Sequence, residues 1–163
     1  GKVLDVGSGA GFPGLVIKIE KPETVITLID SVRKKTDYLS EAIKELGLEN
    51  ITAVHTRIED MAGKESYDTV TARAVARMAT LAEYCLPFVR TGGAFVAYKS
   101  EGGEEELNEA EKVIRLLGGK VEMDELLSLD EDTKRRIIVI RKVRPSPAGY
   151  PRSGNKPRLK PIM

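Results

Sequence analysis

Apolar residues in this chain come in two alternating rhythms. Short β-rich runs give way to stretches with apolar positions three or four apart, so strands and helices are expected to take turns. Val3-Leu4 opens a first strand, which runs into Asp5-Val6-Gly7-Ser8-Gly9-Ala10-Gly11-Phe12-Pro13-Gly14. Glycine at every second position permits positive φ and a close approach of the backbone to a ligand. Pro13 suits the first turn of a following helix, where its missing N–H costs nothing. Strand, glycine turn and helix start make the first unit of a doubly wound sheet, whose ligands lie beyond the carboxyl ends of the strands.

The rest of the chain continues the alternation. Val25 to Asp30 is a second strand, followed by Ser31 as N-cap and a helix with Val32, Leu39, Ile43 and Leu46 on one face and Gly47 as stop. Ile51 to His55 and Tyr67 to Ala72 are the third and fourth strands, with Arg57, Ile58, Glu59 and Asp60 between them. A helix from about Arg77 to Val89 leads through Gly92-Gly93 into a fifth strand, Ala94 to Lys99. Glu104 to Leu117 reads as one helix ended by Gly118-Gly119, and Lys120 to Leu127 with Arg136 to Lys142 as a closing pair of strands.

The turn alone fits two nucleotide classes. Gly9-x-Gly11-x-x-Gly14 satisfies the dinucleotide pattern, with Asp30 at the customary distance for a ribose. Read from Gly7, with Asp5 on the strand, it resembles motif I of class I S-adenosylmethionine methyltransferases. Asp5 tilts the choice, because a carboxylate facing the ligand favours a cation and repels a pyrophosphate unless it points away.

Composition narrows the class. At 163 residues with 41% hydrophobic content there is one sizeable core and little room for a second catalytic domain. The net charge of +1 is uninformative, but its distribution is not. Glu101 to Glu111 and Glu122 to Asp132 are acid-rich, whereas Lys134 to Met163 holds ten Lys or Arg and no carboxylate, an electrostatic footprint for a polyanion. Residues 1–143 are expected to form the domain, and 144–163 a basic tail rich in Pro and Gly. Cys85 lies in an apolar helical run and reads as a packed thiol. With one His and one Cys, no metal site is expected. No apolar stretch reaches membrane-spanning length and no signal peptide is visible, so a cytoplasmic protein without membrane contact is expected. The start at a strand without Met leads us to expect a fragment.

The polar residues divide by position. Asp30 can accept both hydrogen bonds of a ribose diol or cap the next helix, and both roles are compatible. Ile58 and Glu59 offer an apolar wall and a polar group to an adenine, or are a solvated loop. His55 reads as a core or edge residue more readily than as a base. Arg33, Lys34 and Lys35 in a helix's first turn oppose its dipole, which suggests a phosphate-contacting patch or a solvated face. Arg73 and Arg77 flank the exit of the fourth strand. Thr71-Ala72-Arg73-Ala74 stands where amino-methylating enzymes carry Asn or Asp followed by Pro-Pro and an aromatic, so a nucleophile needing no deprotonation fits better.

Taken together, Asp5 to Gly14, Asp30-Ser31 with Lys34-Lys35 and Tyr38-Leu39, Thr71 to Ala76, and the ending Tyr150-Pro151-Arg152 with Gly154 and Lys160-Pro161 resemble the small-subunit ribosomal RNA guanine-N7 methyltransferase family, also called the glucose-inhibited division protein B family. The match runs end to end. The resemblance implies an α/β fold of the class I SAM-dependent methyltransferase (Rossmann-like) type. This is a three-layer sandwich around a mostly parallel, seven-stranded sheet with an antiparallel edge hairpin. It implies S-adenosyl-L-methionine as cofactor, S-adenosyl-L-homocysteine as product, and N7 of one guanine in 16S rRNA as acceptor, on the naked RNA or the small ribosomal subunit. Gly7, Phe12, Ile58, Glu59 and Arg73 are implied to line the cofactor site, to which the residue reading adds Gly9 and Asp30. Arg73 is the one catalytic candidate. Arg33, Lys34, Lys35, Lys99, Arg152, Lys156, Arg158 and Lys160 are the expected RNA contacts, and the chain is expected to be a monomer. Two features depart from the family pattern. A helical segment ahead of the glycine motif is not in this chain, and Tyr98-Lys99-Ser100 replaces a Lys-Gly step.

Readings from other classes have specific requirements. An NAD-dependent oxidoreductase needs a proton relay, and no Tyr-x-x-x-Lys pair or well-placed His is visible. A noncatalytic RNA-binding module would use the basic tail alone. A small-molecule methyltransferase would have little use for that tail.

Overall fold

Strand β1, Lys2–Val6, is buried along Val3 to Val6 because it lies in the middle of the sheet, with parallel neighbours on both sides. The structure, a computed structural model, describes residues 1–73, 75–130 and 132–163. After β1 come α1 (Gly14–Glu20), β2 (Val25–Asp30), α2 (Arg33–Glu45), β3 (Ile51–His55), a 3-10 turn at Ile58–Asp60 and β4 (Tyr67–Arg73). Then follow α3 (Met78–Cys85), a 3-10 turn at Leu86–Phe88, β5 (Val89–Lys99), α4 (Gly103–Glu109), α5 (Glu111–Leu116), β6 (Gly119–Ser128), β7 (Lys134–Lys142) and the short α6 (Lys156–Leu159).

The sheet has seven strands in the order β3-β2-β1-β4-β5-β7-β6, parallel except for β7, which is antiparallel to both β5 and β6. Chain direction across the sheet reverses between β1 and β4, where Val6 sits level with Ala72 and Ile29. That reversal opens a crevice at the carboxyl ends of the strands. One face carries α1 and α2, with Leu39 packed against Val3, Ile26, Leu28 and Ile51. The other carries α3, α4 and α5 over a larger core built around Leu4, Val70, Phe88, Phe95 and Ile140. The result is the three-layer α/β sandwich expected of the class I methyltransferase fold.

Several boundaries depart from the sequence expectations for local reasons. Pro13 stands at the N-cap of α1, just before the helix and not inside its first turn. Ser31 does not cap α2. The N-cap is Val32, and Asp30 Oδ1 accepts the Val32 amide at 2.9 Å. Of the expected apolar face of α2 only Leu39 is buried, and Val32 and Leu46 are exposed. The helix expected to reach Val89 stops at Cys85, because Pro87 diverts the chain into a 3-10 turn and β5 begins at once with Val89. Gly92-Gly93 therefore lies inside β5, at a bulge where the register jumps from Tyr67–Val89 to Thr69–Ala94. A Cβ on Gly93 would come 2.5 Å from the Asp68 carbonyl, so this pairing requires glycine. The helix expected over Glu104 to Leu117 is two helices meeting at Ala110, whose amide is shared between the carbonyls of Glu106 and Leu107.

Part of the charge asymmetry of the sequence is cancelled within the fold. Arg136 on β7 holds both oxygens of Asp124 on β6 at 2.7 Å and reaches Glu104 on α4 at 3.3 Å. Arg141 pairs with Glu122, and Lys134 with Glu101. The antiparallel pairing of β6 with β7 thus sets the acid-rich segment against the basic one. Glu131, within that acid-rich segment, lies outside the described residues.

Candidate cofactor cleft

The glycine turn is fastened on three sides. The amides of Gly7 and Ser8 both donate to the Ile29 carbonyl, at 2.9 and 3.0 Å, tying the turn to β2. Gly7 has φ +68°, and a Cβ there would meet the Val75 side chain at 2.5 Å, so glycine is required on both counts. Gly9 donates to Asp30 Oδ2 at 3.0 Å. The Asp30 carboxylate therefore bridges the glycine turn and the start of α2, one oxygen to each, at the carboxyl end of β2.

Asp5 has a different role from the one its position suggested. Its carboxylate lies beneath the turn, 1% exposed, and does not line the cleft. Oδ2 accepts the Gly14 amide at 3.1 Å, which satisfies an otherwise unpaired donor of the α1 N-terminus, and Oδ1 accepts the Thr71 hydroxyl at 2.8 Å. Burial raises its pKa, against the hydrogen bond from Thr71. Asp5 organises the turn, and repulsion between Asp5 and a ligand decides nothing here.

Above the turn is a cleft of about 400 Å³ at the β1/β4 crevice. Gly7 and Gly9 form its floor, Asp30 one side, and Ile58 with Glu59 the wall beyond it. Phe12 and Arg73 meet across the opening, the guanidinium 5.6 Å from the ring centroid. All seven residues expected at a cofactor site therefore line one cleft. Two expected RNA contacts, Lys35 and Arg158, line it as well.

The other expected RNA contacts divide into exposed and engaged groups. Arg33, Lys34, Lys156 and Lys160 are exposed. Lys99 is not a surface cation: its side chain is 8% exposed, paired with Glu106 at 2.6 Å and donating to the Ala76 carbonyl. Arg152 is forked onto Glu83 of α3. His55 is exposed on β3, 3.1 Å from the Ser31 carbonyl, and is not among the residues lining the cleft. Cys85 is fully buried, and burial pushes its thiol pKa well above the ordinary value. Ala74 lies outside the described residues. Among the described residues no group of His, Cys, Asp and Glu is placed to hold a metal ion.

Sequence reasoning missed Val75, Tyr84 and Arg57 as lining residues. Tyr84 sits in a helix whose every residue is buried, so its apolar surroundings read as plain core.

Comparison with known proteins agrees with this geometry. The profile of the family described as rRNA small subunit methyltransferase G (GidB) matches residues 1–138. The chain belongs to the rRNA small subunit methyltransferase G family. A relative named ribosomal RNA small subunit methyltransferase G, from Lachnoclostridium phytofermentans, is 48% identical over 99% of this chain and 69% of its own length. One from Clostridium tetani is 43% identical over 99% of this chain and 70% of its own. Although the family profile ends within β7, both relatives align through the C-terminal segment. Among solved structures, an antibiotic-resistance methyltransferase, Kmr, superposes with a TM-score of 0.71 at 16% identity, covering 87% of each chain. A putative methyltransferase from Thermoplasma acidophilum superposes with a TM-score of 0.72 at 14% identity, covering 89% of this chain and 69% of its own. The chain thus shares its fold with proteins far from it in sequence.

Proposed function

We propose that this chain transfers the methyl group of S-adenosylmethionine to N7 of a guanine in 16S rRNA of the small ribosomal subunit. The observation that carries this reading is the Asp30 carboxylate. It is held rigidly at the cleft's edge by two backbone amides, beside a glycine floor free of side chains. The residues fit an adenosyl ligand. A carboxylate with remaining acceptor capacity suits a ribose diol, and the Ile58 wall suits an adenine. When bound, adenosylmethionine supplies an electrophilic methyl group on a sulfonium.

Guanine N7 has its lone pair in the ring plane, so this chain needs no general base. Its task is alignment, which can contribute several kcal/mol. Arg73 is poorly suited to stabilise the transition state, because the purine becomes cationic as the methyl arrives. Its place over Phe12 suits an anion instead, such as the carboxylate of the cofactor's methionine end. The exposed cations Arg33, Lys34, Lys156 and Lys160 would then meet RNA phosphates with salt-dependent affinity. The reading has the chain act as a cytoplasmic monomer, and no helix among the described residues is long and apolar enough to cross a membrane.

The test is calorimetric titration of the wild type and Asp30→Ala with adenosylmethionine, adenosylhomocysteine and NADH. Labelled methyl transfer to 16S rRNA, with mapping of the modified base, completes it. Binding of the first two ligands, lost in the variant, and label on guanine N7 are expected. NADH binding, or label at an exocyclic amine, would overturn the reading.

A further inference from the structure

The C-terminal segment reaches the cleft by a fixed route. Because β7 runs antiparallel to β5, Lys142 lies at the edge of the sheet remote from the cleft, level with Gly119. The chain returns from there along α3. Arg152 gives its backbone amide, Nε and Nη2 to the carboxylate of Glu83, at 2.9, 2.8 and 2.7 Å, and Glu83 is 1% exposed in the core of α3. Arg152 Nη2 also donates to the Lys160 carbonyl, closing a loop in the segment onto itself. Thr80 of α3 donates to the Pro157 carbonyl at 3.1 Å, and Pro151 and Pro157 are buried.

These contacts leave Arg158 at the wall of the cleft. Its Nη2 lies 3.3 Å from the Val75 carbonyl, and it lines the cleft with Tyr84 and Glu59. Tyr84 registers both neighbours: burial raises its pKa, Glu59 adds to the rise and Arg158 opposes it. Among the described residues Arg158 has no carboxylate partner. A buried ion pair is a costly way to fasten a tail whose only task is to float towards phosphates.

We propose that the Glu83–Arg152 pair is a latch that positions Arg158 as a ligand-binding residue at the adenine end of the cofactor cleft. The guanidinium there offers N–H donors to the acceptor atoms of a purine and a flat face to its ring. This inference rests on the methyltransferase reading and assigns the tail to the cofactor site, with Arg152 and Glu83 as positioning residues.

The experiment compares wild type, Arg158→Ala, Arg152→Lys and the double variant. Each is titrated with adenosylhomocysteine and, separately, tested for retention of a 16S rRNA fragment. Arg158→Ala is expected to weaken adenosylhomocysteine about tenfold, the fold-change of one charged hydrogen bond, with RNA retention and thermal midpoint unchanged. Arg152→Lys keeps the charge but not the fork. It should weaken the ligand in the same direction, and the double variant should be no weaker than Arg158→Ala, since both act through one contact. Unchanged ligand affinity in Arg158→Ala overturns the proposal. If RNA retention falls in that case, Arg158 is a phosphate contact; if nothing falls, the latch only secures the tail. A wild type that binds no adenosylhomocysteine overturns the cofactor reading itself.

Discussion

Glu83 and Arg152, sixty-nine positions apart, are joined by three hydrogen bonds to a carboxylate that has almost no contact with solvent. Removing one member of such a pair leaves the other buried and uncompensated. Arg152→Ala should cost about 3 kcal/mol, the low end for a broken buried pair because Arg152 itself is partly exposed. Chemical denaturation measures this, and a loss under 1 kcal/mol would show that Glu83 finds water or another donor.

Asp30 serves two backbone donors with two oxygens, and an amide side chain has only one oxygen. Asp30→Asn should therefore lose one of the bonds to Gly9 or Val32, at about 1–2 kcal/mol. It should also weaken adenosylhomocysteine further than that bond explains, since the ribose loses an acceptor. Paired stability and ligand titrations separate the two effects.

Gly14 is helical and has ordinary backbone angles, yet a Cβ there would collide with the side chains of Leu28 and Asp5. Gly14→Ala, favourable in an open helix, should destabilise this chain by about 1–3 kcal/mol through overpacking. Its effect on thermal unfolding distinguishes packing from helix propensity, because propensity alone predicts a gain of up to about 1 kcal/mol.

Asp5 gives the pH dependence a definite sign. Burial holds its folded-state pKa above the ordinary 3.8, so the folded chain binds the proton more tightly than the unfolded one. Asp5 therefore contributes stability below 3.8 that is lost as pH rises through the folded value. Asp68 works the other way, its pKa lowered by the Lys2 amide and Arg90, and its contribution is lost as pH falls. Asp5→Asn, which can accept from Gly14 and donate to Thr71, should stay folded and flatten the Asp5 part of the profile. Unfolding curves across mildly acidic pH check this.

The parallel strands and the glycine turn were legible because they depend on local patterns: β-branched runs, and glycines where no Cβ fits. Where those patterns stopped being local, the reading failed. Asp5 looked like a ligand-facing charge because sequence gives its place on the strand but not the side to which it turns. Lys99 and Arg152 looked like free cations because their partners, Glu106 and Glu83, lie on other elements. Tyr84 was invisible as a lining residue because one edge of a buried helix borders the cleft, and hydrophobic periodicity carries no mark of that edge. The basic run from Lys134 onward was real as composition, but Arg136 and Arg141 pair with acids across the hairpin and Lys134 with Glu101.

The antiparallel course of β7 has a practical consequence for anyone attaching probes to this molecule. The end of β7 and the bulge of β5 lie at the edge remote from the cleft, whereas Arg158 lines the cleft itself and its neighbour Leu159 is exposed. A fluorophore carried at Leu159 would sit next to the bound ligand and perturb or report its occupancy, whereas the same group at exposed Thr91, at the remote edge of the sheet, would be a silent handle.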